Sequence, residues 1–172
     1  HYVDKEPLMP FPLVLKGDRG GGGWAVFLAR NFDELNTHLQ TLGNEHLHST
    51  KRFVVQSFVP HGGADLRVVV IGKRTKSYWR CQSRSGEIRN NVGRGAAVVH
   101  HMAPELTRTG IRCVEGFCSK TGINLAAFDV LFDRTRRHGE PLLSEINFLF
   151  GRKDLGGSRA FHAILNSAVG EW

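Results

Sequence analysis

The chain lacks the features of membrane-spanning and secreted proteins. None of its apolar runs approaches the roughly 18 residues that a membrane helix needs, and its first residues do not have the pattern of a signal peptide. Its three cysteines, Cys81, Cys113 and Cys118, are odd in number and do not have zinc-ligand spacing. We therefore expect a cytoplasmic protein without membrane contacts, a disulfide framework or a structural zinc site.

The chain also lacks the Walker and Rossmann phosphate-binding patterns, although it contains four consecutive glycines: Gly20, Gly21, Gly22 and Gly23. No Gly-Lys-Ser/Thr follows them, and the next residues predict a strand rather than a helix. Glycines let backbone amides approach phosphate oxygens closely, and Lys16 just before them could add a positive charge. Taken alone, the pattern fits a flexible hairpin turn equally well.

The charge balance favours anionic partners without choosing among them. Lys and Arg number 23 against 16 Asp and Glu, a formal net charge of +7. This excess suits nucleotides, phosphate esters or nucleic acid. The basic residues are scattered, however, and do not form the continuous stripe that is typical of a nucleic-acid binder.

The hydrophobic pattern predicts an α+β fold with largely antiparallel sheets. Apolar runs predict strands over residues 13–16, 24–29, 52–59, 66–71, 75–82, 125–132 and 142–147. Helices are predicted after the N-cap candidate Asn31, over residues 104–120 and over residues 158–169, although Gly110 and Gly116 weaken the second. The turn at residues 60–63 could divide two lobes, which gives domains 1–59 and 60–172.

Three oxygen-bearing side chains fall on the last two predicted strands. Asp129 lies within an apolar strand, and Glu145 and Asn147 share one face of the next. If the two strands form a hairpin, Asp129 can lie opposite them, and hard oxygen ligands of this kind suit Mg²⁺. The alternative is a pair of carboxylates on the solvated face of an amphipathic hairpin.

A basic set surrounds a polar loop between residues 83 and 96. It consists of Arg80, Arg89, Asn91 and Arg94. Guanidinium and amide groups can hold transferring phosphoryl oxygens. Solvated arginines are the alternative.

Together these features resemble the ATP-grasp fold, and within it the RimK-like glutamate ligases and their glutathione-synthetase relatives. The resemblance runs from about residue 13 to residue 157. The matching segments, in order, are the lysine with its glycine loop, Val-Gln-Ser-Phe-Val at 55–59, Asp-Leu-Arg at 65–67, Ile-Arg-Asn-Asn-Val-Gly-Arg-Gly at 88–95, Phe-Asp-Val at 128–130 and Glu-Ile-Asn at 145–147. Ser57 replaces an acidic residue that is usual in the family.

The resemblance implies two lobes with flanking helices enclosing a nucleotide cleft, and a set of ligand contacts. The implied ATP contacts are Lys16 and the four glycines at the phosphates, Gln56, Ser57, Phe58 and Val59 at adenine, and Asp65 at the ribose. The implied catalytic residues are Arg67, Arg89 and Asn91. The implied ligands of two Mg²⁺ ions, with Mn²⁺ as an alternative, are Asp129, Glu145 and Asn147.

The implied reaction is ATP-dependent joining of a carboxylate to an amine through an acyl-phosphate, with an amino acid, peptide or protein as acceptor. The family's N-terminal part is missing from this chain, so we expect the chain alone to be inactive. A homo-oligomer is compatible with the sequence, whereas nucleic acid is not an expected partner. The alternatives are an ATP-grasp kinase acting on a small molecule and a non-catalytic basic module that binds nucleotides or nucleic acid.

Overall fold

The structure is a computed structural model that describes residues 9–17, 25–43, 52–82, 95–136 and 139–171. The chain divides into two compact units, His1–Val59 and Pro60–Trp172. Both units combine antiparallel sheets with helices, so the predicted α+β class is confirmed. Within the described residues, no helix has the length and hydropathy needed to cross a membrane.

In its described residues the first unit has a three-stranded antiparallel sheet and one helix. Its elements are β1 (Leu13–Gly17), β2 (Val26–Ala29), α1 (Phe32–Gly43) and β3 (Phe53–Ser57), and β1 lies between the other two strands. Apolar residues on one face of the sheet pack with those of α1, among them Leu15 and Leu35. The pairing of β1 with β2 confirms the predicted hairpin.

The predicted N-cap of α1 is confirmed. The backbone N–H of Glu34 donates to Asn31 Oδ1 at 2.9 Å, which satisfies one of the free donors at the helix start. Glu34 Oε2 in turn accepts a hydrogen bond from the backbone N–H of Arg30 at 2.8 Å. These reciprocal bonds resemble a capping box, although the returning contact reaches the residue before the cap.

The second unit is a five-stranded antiparallel sheet with a helix against each face. Its strands are β4 (Ala64–Ile71), β5 (Arg74–Cys81), β6 (Ala97–Val99), β7 (Leu125–Phe132) and β8 (Pro141–Asn147). Its helices are α2 (Pro104–Thr121) and α3 (Gly157–Val169), the latter preceded by a 3₁₀ turn at Lys153–Leu155. The strand order is β6-β5-β4-β7-β8.

The two faces of this sheet differ in what covers them. On one face Leu66, Val68 and Phe128 form a core with Val114 of α2. On the other face, Val69 and its neighbours pack with residues of α3. We call this second side the α3 face. Because side chains alternate along a strand, Asp65 and Arg67 of β4 belong to the α3 face together with Val69.

The helix α2 forms despite the two glycines that weakened its prediction. A Cβ atom at Gly110 would lie 2.6 Å from Leu66 Cδ2 and 3.2 Å from Phe132 Cζ. The missing side chain therefore allows the helix to approach the sheet closely. Gly122 ends the helix with φ 73° and donates to the carbonyl of Cys118, as is common at helix C-termini.

Candidate functional site

The predicted site residues divide into those that the structure describes and those that it does not. Gly20, Gly21, Gly22, Gly23, Arg89 and Asn91 lie outside the described residues. The predicted nucleotide contacts Lys16, Gln56, Ser57, Phe58 and Val59 lie in the first unit. Asp65, Arg67, Asp129, Glu145 and Asn147 lie in the second.

In the first unit, Lys16 and Gln56 share the sheet face that points away from the core with α1. Lys16 pairs with Val54 and Val14 pairs with Gln56, so these four residues lie on one face. Val54, on the same face, is 52% exposed. The backbone N–H of Phe58 donates to the carbonyl of Pro12 at 3.0 Å. The adenine role of residues 56–59 stays a prediction.

In the second unit, the predicted metal ligands do lie on one face of a hairpin. Asp129 of β7 pairs directly with Glu145 of β8, and Ala127 pairs with Asn147. The register shifts between Asp129 and Val130, whose partner is Leu143, so Ser144 is the extra residue of a β-bulge. The bulge lets Leu143 pack into the α2 core while Glu145 keeps its place opposite Asp129.

Asp129 is buried between two guanidinium groups. The residue is 7% exposed. Arg67 donates to both of its oxygens, each at 2.8 Å. Nη2 of Arg80 lies 2.9 Å from Asp129 Oδ2. A buried carboxylate needs such compensation because burial removes its hydration.

Asp65 and Arg80 form a second buried pair beside the first. They are directly paired residues of β4 and β5, and Nε and Nη2 of Arg80 donate to the two carboxylate oxygens of Asp65 at 2.7 Å each. Arg80 therefore bridges Asp65 and Asp129. We call Asp65, Arg67, Arg80 and Asp129 the charge cluster; it contains two carboxyls and two guanidiniums.

The two carboxyls of the charge cluster have pKa values shifted in opposite directions. Burial raises the pKa of Asp65 to about 6, against the opposing effect of Arg80. Burial also disfavours ionised Asp129, but the charges and hydrogen bonds of Arg80 and Arg67 outweigh it and hold the Asp129 pKa below its usual range. Burial lowers the pKa of each arginine, yet the carboxylate partners raise it on balance. Both carboxyls are therefore ionised near neutral pH, and Asp129 stays ionised to a lower pH than Asp65 does.

The other two predicted metal ligands on this face, Glu145 and Asn147, have polar atoms that could coordinate an ion. Glu145 is exposed, and no ion pair among the described residues includes it. Nδ2 of Asn147 is buried and has no hydrogen-bond partner in the part of the chain that the structure describes. Turning this amide by 180° would place its carbonyl oxygen at that position, because amide oxygen and nitrogen occupy similar space.

The donor types of this set suit a magnesium ion, and in this structure both oxygens of Asp129 are also hydrogen-bonded to guanidiniums. Two carboxylates and one amide oxygen are hard ligands, and Mg²⁺ takes a few such protein ligands with water and substrate phosphate completing its shell. Within the described ranges no three His, Cys, Asp or Glu residues cluster together, so the set depends on Asn147 as its third member. The metal role of these residues stays a prediction.

Arg80 belongs to the candidate site, although the sequence pattern indicates it only as part of a broader basic set. The sequence does contain a pattern that indicates the pairing of Arg80 with Asp65. The two-residue turn at Gly72 and Lys73 determines which residues of β4 and β5 face each other, and this register pairs Arg80 with Asp65. Asp65 is held by Arg80, and its predicted ribose contact stays a prediction.

The family comparison agrees with the resemblance seen in the sequence. The family model for the RimK-like ATP-grasp domain matches residues 2–153. A protein named "Probable alpha-L-glutamate ligase" from Halorhodospira halophila is 29% identical over 138 residues, which cover 79% of this chain and 42% of that protein. The chain thus spans less than half the length of this curated relative.

Solved structures establish the fold. A D-alanine–D-alanine ligase from Bacillus anthracis complexed with ATP aligns with a TM-score of 0.64 and 16% identity over 92% of this chain and 52% of the ligase. The biotin carboxylase domain of a 2-oxoglutarate carboxylase from Hydrogenobacter thermophilus, in complex with MgADP and bicarbonate, aligns with a TM-score of 0.56 and 18% identity over 81% of this chain and 31% of that chain. At these identities the likeness concerns the fold.

Proposed function

The chain belongs to the RimK-like ATP-grasp family, and from this premise we propose that it is part of an ATP- and Mg²⁺-dependent ligase. The ligase joins a carboxylate to an amine through an acyl-phosphate. The observation that carries the proposal is the α3 face of the second unit, where Glu145 and Asn147 lie beside the doubly paired Asp129. Hard oxygen ligands and fixed guanidiniums together suit phosphoryl transfer.

The reaction takes place in two steps. A carboxylate oxygen of the first substrate attacks the γ-phosphorus of ATP, the bond from that phosphorus to the β,γ-bridging oxygen breaks, and ADP leaves. The amine nitrogen then attacks the acyl carbon, the bond from that carbon to the phosphate oxygen breaks, and orthophosphate leaves while the nitrogen loses a proton. An amide bond remains.

The residues of the α3 face contribute positioning and charge. Asp129, Glu145 and Asn147 would hold the divalent ions, two in this proposal, which supply positive charge to the phosphate oxygens. Arg67 and Arg80 are held by carboxylates before substrate arrives, so little reorganisation is needed when negative charge develops nearby. Lys16 and the four glycines of the first unit are the proposed phosphate contacts.

The names of the relatives suggest L-glutamate as the first amino acid to test. The named relative is a probable alpha-L-glutamate ligase, and we propose that an amino acid takes part in the reaction. The carboxylate partner is a peptide, protein or small metabolite in this proposal.

Isotope transfer tests the reaction directly. The full-length protein is incubated with Mg-ATP, L-glutamate and a panel of carboxylates labelled with ¹⁸O. An acyl-phosphate route moves one ¹⁸O atom from the carboxylate into the released orthophosphate, which mass spectrometry detects. A kinase would leave phosphate on the acceptor. Release of unlabelled orthophosphate together with amide product would contradict the acyl-phosphate step.

A further inference from the structure

Arg152 follows the strand that carries two of the predicted metal ligands and has no carboxylate partner in the described part of the chain. It lies five residues after Asn147 and is exposed. Arg67, Arg74 and Arg80 of the same unit each form an ion pair with a carboxylate. No ion pair among the described residues includes Arg152. Its guanidinium is therefore available to an anion from outside the protein.

Arg152 is nevertheless fixed in place. Its carbonyl accepts hydrogen bonds from the backbone N–H groups of Leu155 and Gly157 at 3.1 and 2.9 Å. Its Cζ atom lies 4.6 Å from the centroid of the Phe161 ring, and its Nη1 donates to Nε2 of His162 at 3.2 Å. An arginine that is held beforehand loses less conformational freedom when it binds an anion than a free one does.

The contacts of Phe161 place Arg152 on the side of the sheet that carries the predicted metal ligands. Phe161 packs in one apolar cluster with Ala127, and Ala127 is the cross-strand partner of Asn147. Phe150, which lies between Asn147 and Arg152 in the sequence, packs edge-on against Phe161 with the ring centroids 5.9 Å apart. The segment after β8 thus turns back over the α3 face, and the guanidinium lies on that face.

We propose that Arg152 binds a carboxylate of the amine substrate, so that this substrate is an amino acid rather than a simple amine. The inference rests on the proposed function and names the residue that recognises its second substrate. Because Nη1 donates to His162, Nε and Nη2 remain for the two parallel N–H···O bonds of a guanidinium–carboxylate pair. A carboxylate held there keeps the amine of the same molecule close to the acyl carbon.

The alternative is that Arg152 only covers the ring of Phe161. Long basic side chains often lie over apolar surface while their charge stays in water. Loss of such a cover would change stability without changing the choice between an amino acid and its amide. The choice between acid and amide therefore separates the two roles.

Amide formation by the full-length protein tests the proposal. The assay contains Mg-ATP, the carboxylate substrate found by isotope transfer, and one of three amines: L-glutamate, L-glutamine or L-isoglutamine. Each of the two amides lacks one of the two carboxylates of L-glutamate. The variants are Arg152→Gln and the matched control Arg112→Gln, which changes an exposed arginine on α2, the helix that packs on the other face of the sheet.

We expect Arg152→Gln to raise the KM for L-glutamate by about 10- to 100-fold, because it loses a charged hydrogen-bonding partner. The kcat should change little, because the contact is equally strong before and during the reaction. The wild type should discriminate against one of the two amides by a similar factor, and Arg152→Gln should lose that discrimination. Arg112→Gln should alter neither quantity. An unchanged KM, or an equal loss for L-glutamate and both amides, overturns the proposal.

Arg152→Lys covers the case in which Arg152→Gln does not fold. It retains a long stem and a positive charge but loses the planar fork, so the KM should rise more for L-glutamate than for the disfavoured amide. An equal rise for both would contradict carboxylate recognition.

The behaviour of the wild type distinguishes failure of this inference from failure of the proposed function. A wild-type enzyme that uses amines without any carboxylate as efficiently as amino acids overturns the inference and leaves the ligase proposal intact. Absence of amide product with every amine and carboxylate would instead contradict the proposed function itself.

Discussion

Burying the carboxylate of Asp129 has a large free-energy cost for a single residue. Its carboxylate is buried in a strand that is otherwise apolar, and ionised groups are costly to remove from water unless they are paired. Arg67 and Arg80 compensate that cost. Apolar residues of similar size would stabilise a sheet equally well or better. The two buried arginine–aspartate pairs therefore indicate a chemical role more than a structural one.

Removing the charge of Asp129 should destabilise the second unit strongly. Asp129→Asn leaves Arg67 with half of its bidentate contact and removes one carboxylate from Arg80, so we expect a loss of about 3–5 kcal/mol in the free energy of unfolding. Urea denaturation followed by circular dichroism measures it. The exposed Asp33→Asn should cost less than about 1 kcal/mol. Equal losses in the two variants would show that the ion pairs contribute little.

The raised pKa of Asp65 predicts a pH dependence of stability. Its pKa is about 6 in the folded protein and about 3.9 in an unfolded chain. Between these values the folded state binds more protons, so this contribution to stability is complete below about pH 4 and is lost as pH rises through about 6. Asp129 acts oppositely: its contribution is present above its unfolded pKa and is lost as pH falls through its lowered folded pKa.

The free energy of unfolding measured across this range tests the assignment. Asp65→Asn should remove the decline in stability between about pH 4 and about pH 6, so the variant and wild-type curves should have different slopes there. Parallel curves would mean that Asp65 titrates in the folded protein as it does in the unfolded chain. The comparison of slopes does not depend on how much the substitution itself destabilises the protein.

At the scale of secondary-structure elements, local sequence patterns predicted most of the fold. They did not predict which strands that are distant in the sequence pair with each other. Alternation and apolar runs predicted the strands, and Asn31 with Glu34 predicted the start of α1. The contact of Arg67 with Asp129 joins residues 62 apart in the sequence, and it follows from the pairing of β4 with β7. No local pattern indicates that pairing.

The sequence patterns did not predict the β-bulge at Ser144 either. Strict alternation places Leu143 and Glu145 on the same face, whereas the shifted register puts Leu143 against the α2 core. The shared face of Glu145 and Asn147 does not depend on the bulge, because both residues lie beyond it. Their shared face was therefore predicted correctly without knowledge of the irregularity.

The two glycines of α2 provide a matched pair of substitutions. Gly110→Ala would improve helix propensity by about 1 kcal/mol, but its Cβ would lie 2.6 Å from Leu66 Cδ2. We expect the steric overlap to outweigh the gain in helix propensity and to lower the free energy of unfolding by about 1–3 kcal/mol. Gly116→Ala has no neighbouring atom within 4 Å of the added carbon and should stabilise it by up to about 1 kcal/mol.

Thermal and urea unfolding of both alanine variants show whether packing or helix propensity determines the change in the free energy of unfolding. The same chemical change in the same helix should shift the free energy of unfolding in opposite directions. If Gly110→Ala were also stabilising, the close approach of α2 to β4 would not be a constraint on the fold.

At the scale of the whole molecule, the family and the fold were predicted from the sequence and are confirmed. Six loose motifs in the right order sufficed, because their spacing constrains the fold more than any one of them does. The sequence could not identify the carboxylate or the amine. The matched curated relative is more than twice as long as the aligned region.

Ligand-induced stabilisation tests the proposed site in the complete protein independently of its substrates. A ligand that binds only the folded state at 100 times its dissociation constant adds about 2.7 kcal/mol to stability. We expect Mg-ATP to raise the melting temperature of the full-length protein, and Glu145→Gln to reduce that rise. The reason is that the amide is a weaker ligand for Mg²⁺ than the carboxylate directly opposite Asp129.

The matched control for this measurement is Glu115→Gln, which changes an exposed carboxylate on α2 and should retain the full rise. ATP with excess chelator should stabilise wild type and Glu145→Gln equally, because the two proteins then differ in no metal contact. An unchanged Mg-ATP effect in Glu145→Gln would remove Glu145 from the metal site. Asp129 and Asn147 would then be the remaining proposed protein ligands, with water and substrate phosphate completing the shell.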